Sequence, residues 1–305
     1  MFRKSAPLPP DGKTVVITGA STGLGRECAL HLAALGFTVF AGVRNPEDGK
    51  RLVDDSPSGR VEYLLIDVTD EESIRAAAEQ VESRVAGDGL WALINNAGVC
   101  ISAPLECVSS DMLRHQLETN VIGQVAVLRS FLPLLRRARG RVVNVTSGLG
   151  TVALPYMGPY STAQFAKEGM SDALRRELAP MGVAVSVVSP GAIMTPIWDK
   201  ISADGLAALA GAPSDVANLY RQTFVRFLRT NEEGARTSKT QPADVAKAVR
   251  AAVTAARPKT RYRVGADARQ GSVLARLLPD TAIDASLRKI VTPDPTSEDN
   301  DHVRH

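Results

Sequence analysis

Short runs rich in β-branched residues alternate with longer stretches of helical period along most of this 305-residue chain. Residues 13–18 (KTVVIT) read as a buried strand, and residues 25–35 as a helix with small apolar side chains on one face. The pattern repeats, with strands expected at 37–43, 61–67, 90–94, 141–146 and 183–188. Helices fall between them at 71–85, entered through Asp70 as N-cap, at 112–136, where Pro133 should interrupt the last turns, and at 160–178. Strands separated by helices require crossover connections, so the sheet they form is parallel and covered on both faces.

After Pro190 the pattern changes. Residues of about 196–240 are Ala-rich, amphipathic and free of strand signals, as a lid would be. A helix is expected at 242–255, a short final strand at 261–264 (RYRV) and a helix at 271–290. No internal repeat or second domain boundary is visible, so residues 12–291 read as one domain. Residues 1–11 and the polar, Pro-containing tail 292–305 read as flexible termini.

Between the first strand and its helix stands TGASTGLG. Gly19 permits a tight turn, Gly23 lets the backbone approach a pyrophosphate, and Gly25 allows close helix–sheet packing. The helix start offers free N–H groups to phosphates, with Ser21, Thr22 and Leu24 completing the turn. A glycine cluster alone is a weak signal, but its place after a buried strand and before an amphipathic helix is the context a dinucleotide requires. Where an NAD-selective site carries an acid at the end of the second strand, this chain has Val43 followed by Arg44. A guanidinium clamps a phosphate with paired hydrogen bonds, so NADP(H) is favoured, with NAD(H) the alternative. Read as a loop residue, Arg44 in RNPEDGK is simply solvated.

The stretch NVTSGLGTVALPYMGPYSTAQFAKEGM places Ser147 13 positions before Tyr160. With TGASTGLG, IDVTD and NNAG in order, it resembles the short-chain dehydrogenase/reductase family over about residues 12–265, and in flavour the retinol and hydroxysteroid dehydrogenase branch. The resemblance implies an α/β Rossmann-type doubly wound parallel sheet with helices on both faces, a helical substrate lid and a C-terminal extension. It also implies hydride transfer between nicotinamide and a carbonyl carbon, with Tyr160 as acid/base, Ser147 as oxygen binder and Asn120 in a proton relay. Asp67 and Val68 would lie against the adenine, although the residues alone read Asp67 as a turn or capping acid. Asn95, Ala97 and Gly98 would steady the sheet and contact the adenosine ribose. Pro190, Gly191, Ile193 and Thr195 would flank the nicotinamide carboxamide.

One residue departs from the family pattern. Gln164 occupies the place, four residues after Tyr160, where the resemblance implies a lysine that holds the nicotinamide ribose and lowers the tyrosine pKa. An amide still donates to ribose hydroxyls, but its charge is gone. At about 4 Å and an effective dielectric near 20, that charge is worth roughly 4 kcal/mol, or up to about three pKa units. Tyr160 should then return toward about 10, on the order of a thousandth ionised at neutral pH. Alcohol oxidation needs tyrosinate and carbonyl reduction needs the neutral phenol, so a reduction-biased enzyme is expected. The second reading is a weak or inactive NADP(H)-binding scaffold or sensor. Lys167 is on the same helical face, about 10 Å along, and its preferred rotamers lean toward the helix N-terminus. Contact with Tyr160 is not expected, and Lys167 reads as a solvated charge paired with a neighbouring acid.

The pocket edge reads as apolar, from Leu149, Val152, Leu154, Met157, Met194 and Trp198, with Leu206, Leu209 and Tyr220 added by the lid. It suits a small hydrophobic carbonyl or alcohol of steroid, retinoid or fatty type. A formal charge of +3 with scattered basic residues excludes a nucleic-acid partner. No run is long and apolar enough to span a membrane, although peripheral contact stays open. Cys28, Cys100 and Cys107 show no ligand spacing, which excludes a metal site and fits free thiols in a cytoplasmic protein. The resemblance further implies a homodimer or homotetramer.

Overall fold

Val15, Val16 and Ile17 are wholly removed from solvent, and the strand they form is an interior strand of a seven-stranded sheet, third from one edge. The computed structural model describes residues 7–85 and 87–293. The strands are β1 (Thr14–Ile17), β2 (Thr38–Val43), β3 (Val61–Leu65), β4 (Ala92–Asn95), β5 (Arg141–Val145), β6 (Ala184–Pro190) and β7 (Arg261–Val264). They are all parallel, in the order β3-β2-β1-β4-β5-β6-β7. The chain winds outward through β2 and β3 and then returns to place β4 beside β1, with Val15 opposite both Val39 and Ala92. Connections on either side of that switch leave toward opposite faces, which opens a crevice beyond the C-terminal strand ends.

Alternate side chains feed two cores. Val15, Ile17, Val39 and Ile94 pack with α1 (Gly23–Ala34), α2 (Pro46–Asp54) and α9 (Pro242–Thr254). Val16, Phe40, Leu64 and Leu93 pack with α3 (Glu71–Val85), α5 (Gly123–Ala138) and α6 (Gly158–Leu178). A third cluster sits over the strand ends. It joins Tyr156 and Met157 to α7 (Ile197–Gly211) and α8 (Ser214–Arg236), the expected lid. There Tyr156 meets Phe224 and Phe227 edge-on at 5.3 and 5.4 Å, and its hydroxyl bonds Thr223 Oγ1 at 2.7 Å.

The structure corrects three expectations of local structure. The RNPEDGK segment is not a loop. Asn45 accepts a hydrogen bond from Glu47 N at 2.9 Å, Pro46 stands at the first helical position, and α2 follows with Glu47 and Asp48 in its first turn. The long helix expected at 112–136 begins with α4 (Ser110–Leu117), capped by Ser109, and is interrupted not at Pro133 but by a π turn at Glu118–Ile122. α5 runs through Pro133 because Leu134 and Leu135, just beyond it, are buried in the core. Two such side chains together offset the roughly 3 kcal/mol that an interior proline costs. The last helical stretch is two helices, α10 (Ala266–Leu277) and α11 (Asp280–Val291), parted at Pro279, whose ring cannot continue α10. At the ends of the chain, Leu8 N donates to Thr254 O at 2.7 Å, while residues 1–6 and 294–305, expected to be flexible, lie outside the described residues.

Candidate active site

The crevice beyond the strand ends widens into a cavity of about 2050 Å³, large enough for a dinucleotide and a second molecule beside it. At one end lies the glycine turn. Gly19 has φ +65°, and a Cβ there would meet Ala97 Cα at 2.8 Å. Gly23 has φ +55° and opens α1, and Thr22 before it makes no side-chain cap, so the first N–H groups of the helix point into the crevice. Gly25 lies outside the cavity lining: a Cβ there would fall 2.2 Å from Gly19 O, so its role is the close packing of helix on turn. Asn96 Nδ2 braces that turn by donating to Thr18 O and Gly19 O at 3.1 and 3.0 Å, while Thr18 Oγ1 accepts from Ala97 N at 3.0 Å. Asn95, expected at the cofactor, does not reach the cavity. It is buried and donates to Asn144 Oδ1 at 3.0 Å, tying β4 to β5.

Ser21, Thr22, Leu24, Arg44, Asp67, Val68, Ala97 and Gly98 all face the crevice. Asp67 accepts from Thr69 N and Thr69 Oγ1 at 2.9 and 2.7 Å. Burial pushes its carboxyl pKa up, but the two Thr69 bonds and the charge of Arg44 outweigh this and hold it below the ordinary carboxylate value. Arg44 is exposed, and among the described residues no hydrogen bond or ion pair engages it. Asp48, also in the crevice, is already paired with Arg51.

Deeper in, Ser147, Tyr160, Asn120 and Gln164 come together on the cavity wall. Ser147 leaves β5 and accepts from Leu149 N at 3.2 Å. Burial drives the Tyr160 phenol well above the ordinary range, the Cys100 thiol adds to the shift, and the Ser147 hydroxyl beside it opposes both in part. Asn120 lies in the π turn with both side-chain ends committed: Oδ1 accepts from Val99 N at 2.8 Å and Nδ2 donates to Val99 O at 2.9 Å. Its side chain therefore braces the loop after β4. Such π turns inside helices recur at functional sites. Gln164 is buried, and its Oε1 has no hydrogen-bond partner among the described residues.

Lys167 overturns its expectation. It is neither solvated nor paired with an acid. It is 2% exposed, lines the same cavity, and donates from Nζ to Val145 O at 2.6 Å. Helical side chains lean toward the helix N-terminus, which carries Lys167 toward Tyr160 and shortens the gap. The neighbouring acid, Glu168, turns away from the cavity: it accepts from Thr146 Oγ1 at 2.9 Å, Ser189 Oγ at 3.3 Å and Arg261 Nε at 2.9 Å.

Pro190, Gly191, Ile193 and Thr195 form the far wall. Trp198 Nε1 holds it by donating to Ile193 O at 2.9 Å. Asp267 of α10 accepts from Ala192 N at 2.7 Å, and it crowds Gly191 so closely that no Cβ fits there. Leu149, Val152, Leu154, Met157 and Trp198 line the open part of the cavity, joined by Leu274, Leu278, Ile283 and Leu287 of the C-terminal helices. Met194 packs into the third core cluster instead, Leu206 is exposed, Leu209 is core, and Tyr220 donates to Glu106 Oε2 at 2.7 Å. The sequence reading missed Asp267, the four C-terminal apolar residues, and Arg114 and His115 of α4. Asp267 and the C-terminal residues lie far in sequence from the motifs, and Arg114 and His115, though close to Asn120, belong to no motif that would mark them.

A parallel doubly wound sheet with a glycine turn at its switch point, opening onto a Ser–Tyr pair, defines a nucleotide-dependent oxidoreductase. Residues 13–205 match the short chain dehydrogenase family. The chain is 42% identical to 3-amino-tetrahydro-pyrrolizinone reductase of Xenorhabdus hominickii, covering 89% of this chain and 93% of that protein. It is 36% identical to mouse (Mus musculus) retinol dehydrogenase 5, over 95% and 92% of the two chains. It is 38% identical to rat (Rattus norvegicus) mitochondrial D-beta-hydroxybutyrate dehydrogenase, over 82% and 76%. Among solved structures, a Burkholderia cenocepacia short chain dehydrogenase in complex with NADP superposes with a TM-score of 0.70 at 29% identity, over 94% of this chain and all of that one. The chain belongs to the short-chain dehydrogenase family, and it is an oxidoreductase that uses a nicotinamide cofactor.

Proposed function

We propose that this protein is an NADP(H)-dependent reductase of hydrophobic carbonyl compounds, with the reverse alcohol oxidation slower. The observation that carries this reading is the placement of Tyr160 and Ser147 together on the wall of a cavity lined by Leu149, Leu154, Met157 and Trp198, where burial pushes the phenol up. The cofactor fits the residues present. Gly23 keeps clear the space facing Thr195 that a Cβ would take, the start of α1 presents uncapped N–H groups, and Arg44 makes no hydrogen bond or ion pair among the described residues. When bound, the nicotinamide supplies or accepts the hydride. The chain's own residues do the rest. Arg44 would hold a 2′-phosphate, Thr195 and the Ile193 backbone would orient the carboxamide end, and the Ser147 hydroxyl would fix the carbonyl oxygen. Tyr160 would then donate its proton to that oxygen, a step favoured by the neutral form that the site maintains. The lining of Leu149, Leu154, Met157 and Trp198 excludes water and selects apolar substrates. Two relatives support the substrate class, one named for reducing a pyrrolizinone and one for retinol.

The test is NADPH consumption against a panel of hydrophobic ketones and aldehydes, bicyclic nitrogen heterocycles included, with wild type and Tyr160→Phe. Turnover by wild type that falls at least about a hundredfold in Tyr160→Phe is expected, the share general acid catalysis supplies. A wild type that binds NADPH but turns over nothing, beside a Gln164→Lys variant that does, would establish the scaffold reading instead.

A further inference from the structure

Tyr160, Gln164 and Lys167 follow one another along a single face of α6, and all three line the cavity. The two buried members are each incomplete. An ammonium carries three donors, and Lys167 uses one, to Val145 O, in a hydrogen bond among the described residues. Among the described residues no carboxylate approaches it within ion-pairing distance, because Glu168 is committed to Thr146, Ser189 and Arg261 on the other side of the helix. Gln164, one turn earlier, has an amide oxygen buried without any partner. Buried polar groups left unfilled in this way are costly, and each such group calls for an explanation. A cation short of acceptors and an amide oxygen short of a donor, side by side on one cavity wall, fit a ligand that accepts and donates at adjacent atoms. A vicinal diol does both.

We infer that Gln164 and Lys167 together bind the ribose hydroxyls on the nicotinamide side of the cofactor, Lys167 supplying the cation from one turn further along α6. The inference rests on the nicotinamide-site reading above. Gln164 Oε1 accepts from one hydroxyl, and the Lys167 ammonium donates to the diol while keeping Val145 O as its anchor. Burial already weakens the ammonium, lowering its pKa to about 8, so a diol that satisfies its donors stabilises it.

The experiment measures binding, not turnover. NADPH and 2′,5′-ADP, which lacks the nicotinamide ribose, are titrated calorimetrically into wild type, Lys167→Met, Gln164→Leu and the swapped chain Gln164→Lys/Lys167→Gln. Lys167→Met should weaken NADPH by on the order of tenfold or more, the loss expected for a hydrogen bond to a charged group, Gln164→Leu by roughly twofold to tenfold, the loss for a neutral one, and both should leave 2′,5′-ADP unchanged. The swap, which returns a cation to the same wall, should recover most of the NADPH affinity. If Lys167→Met does not fold, the swap and Gln164→Leu decide the question by the same comparison. NADPH affinity untouched by the single variants, or both ligands weakened alike, overturns the inference. A wild type that binds neither ligand overturns the nucleotide-site reading, and the inference with it.

Discussion

Replacing Lys167 with methionine removes a buried ammonium and keeps most of its apolar stem, so it isolates what the charge does to stability. In the folded protein, burial lowers the Lys167 pKa from 10.5 to about 8. Glu168 is the neighbour whose charge acts against that shift, and it is itself bonded to Arg261; Arg114, His115 and Glu118 line other stretches of the cavity. The folded value lies below the unfolded one, so between about pH 8 and 10.5 the unfolded chain holds more protons, and wild-type stability rises with pH. Below pH 8 the full penalty applies, and above 10.5 none remains. At about 1.4 kcal/mol per unit, the penalty is about 3 kcal/mol. Urea unfolding of both proteins at pH 7.5 and pH 10 reads it, since titrations common to both cancel in the difference. The wild type should gain about 2 kcal/mol on the variant between those two values. A difference that does not move with pH would mean that Lys167 is hydrated, and the burial argument would fail.

Three further outcomes follow from the site. Initial rates of alcohol oxidation with NADP⁺ should climb steadily from pH 7 to 10, because the Tyr160 phenol lies above its ordinary range, while carbonyl reduction stays level to about pH 9; an oxidation profile flat over that interval would contradict this. Arg44→Ala should raise the Kd for NADPH about tenfold to a hundredfold and leave NADH nearly unchanged, as isothermal titration would show. Gly25→Ala should lower Tm and abolish cofactor binding, because its Cβ would sit 2.2 Å from Gly19 O; a variant with wild-type Tm and affinity would show that the turn yields.

The sheet was legible because its inner strands are buried on both faces and read as apolar runs rich in β-branched residues; RYRV at the far, partly exposed edge matches β7 residue for residue. α2 was missed because Asn45-Pro46 reads equally well as a turn, and only the bond from Glu47 N to Asn45 Oδ1 decides for a helix. The Ser147–Tyr160 spacing pointed to two groups that do meet, since strand end and helix start are fixed by the same sheet. Asn95 and Asn96 could not be separated by motif. Their opposite side-chain directions follow from the pleat and the end of β4, and Asn96 rather than Asn95 turns to the glycine loop. Lys167 was misjudged for a different reason. Helical periodicity gave its face correctly, but solvation was assumed from residue type, whereas its burial depends on the sheet it packs against, where Nζ donates to Val145 O of β5.

If Gln164 stands where the resemblance implies a lysine, two separate tasks are at issue there. Lowering a phenol pKa requires charge close to the hydroxyl, because the effect falls with distance and dielectric. Holding a ribose requires donors and acceptors on the wall beneath it, and tolerates a different point of origin on the helix. Burial and Cys100 act upward on Tyr160 and the Ser147 hydroxyl downward, while Lys167 makes no resolved contribution. The ammonium therefore does not replace the lost acidification. It does stand on the same wall as Gln164, with donors to spare. On this argument the chain has separated the two tasks: it keeps a cation for the cofactor and leaves Tyr160 protonated. A protonated tyrosine is the state a reductase needs at the start of each turnover and an alcohol dehydrogenase must first remove. On the proposed reading a glutamine at position 164 would weaken oxidation and leave reduction undiminished, and Gln164→Lys should gain more in the oxidative direction than in the reductive one.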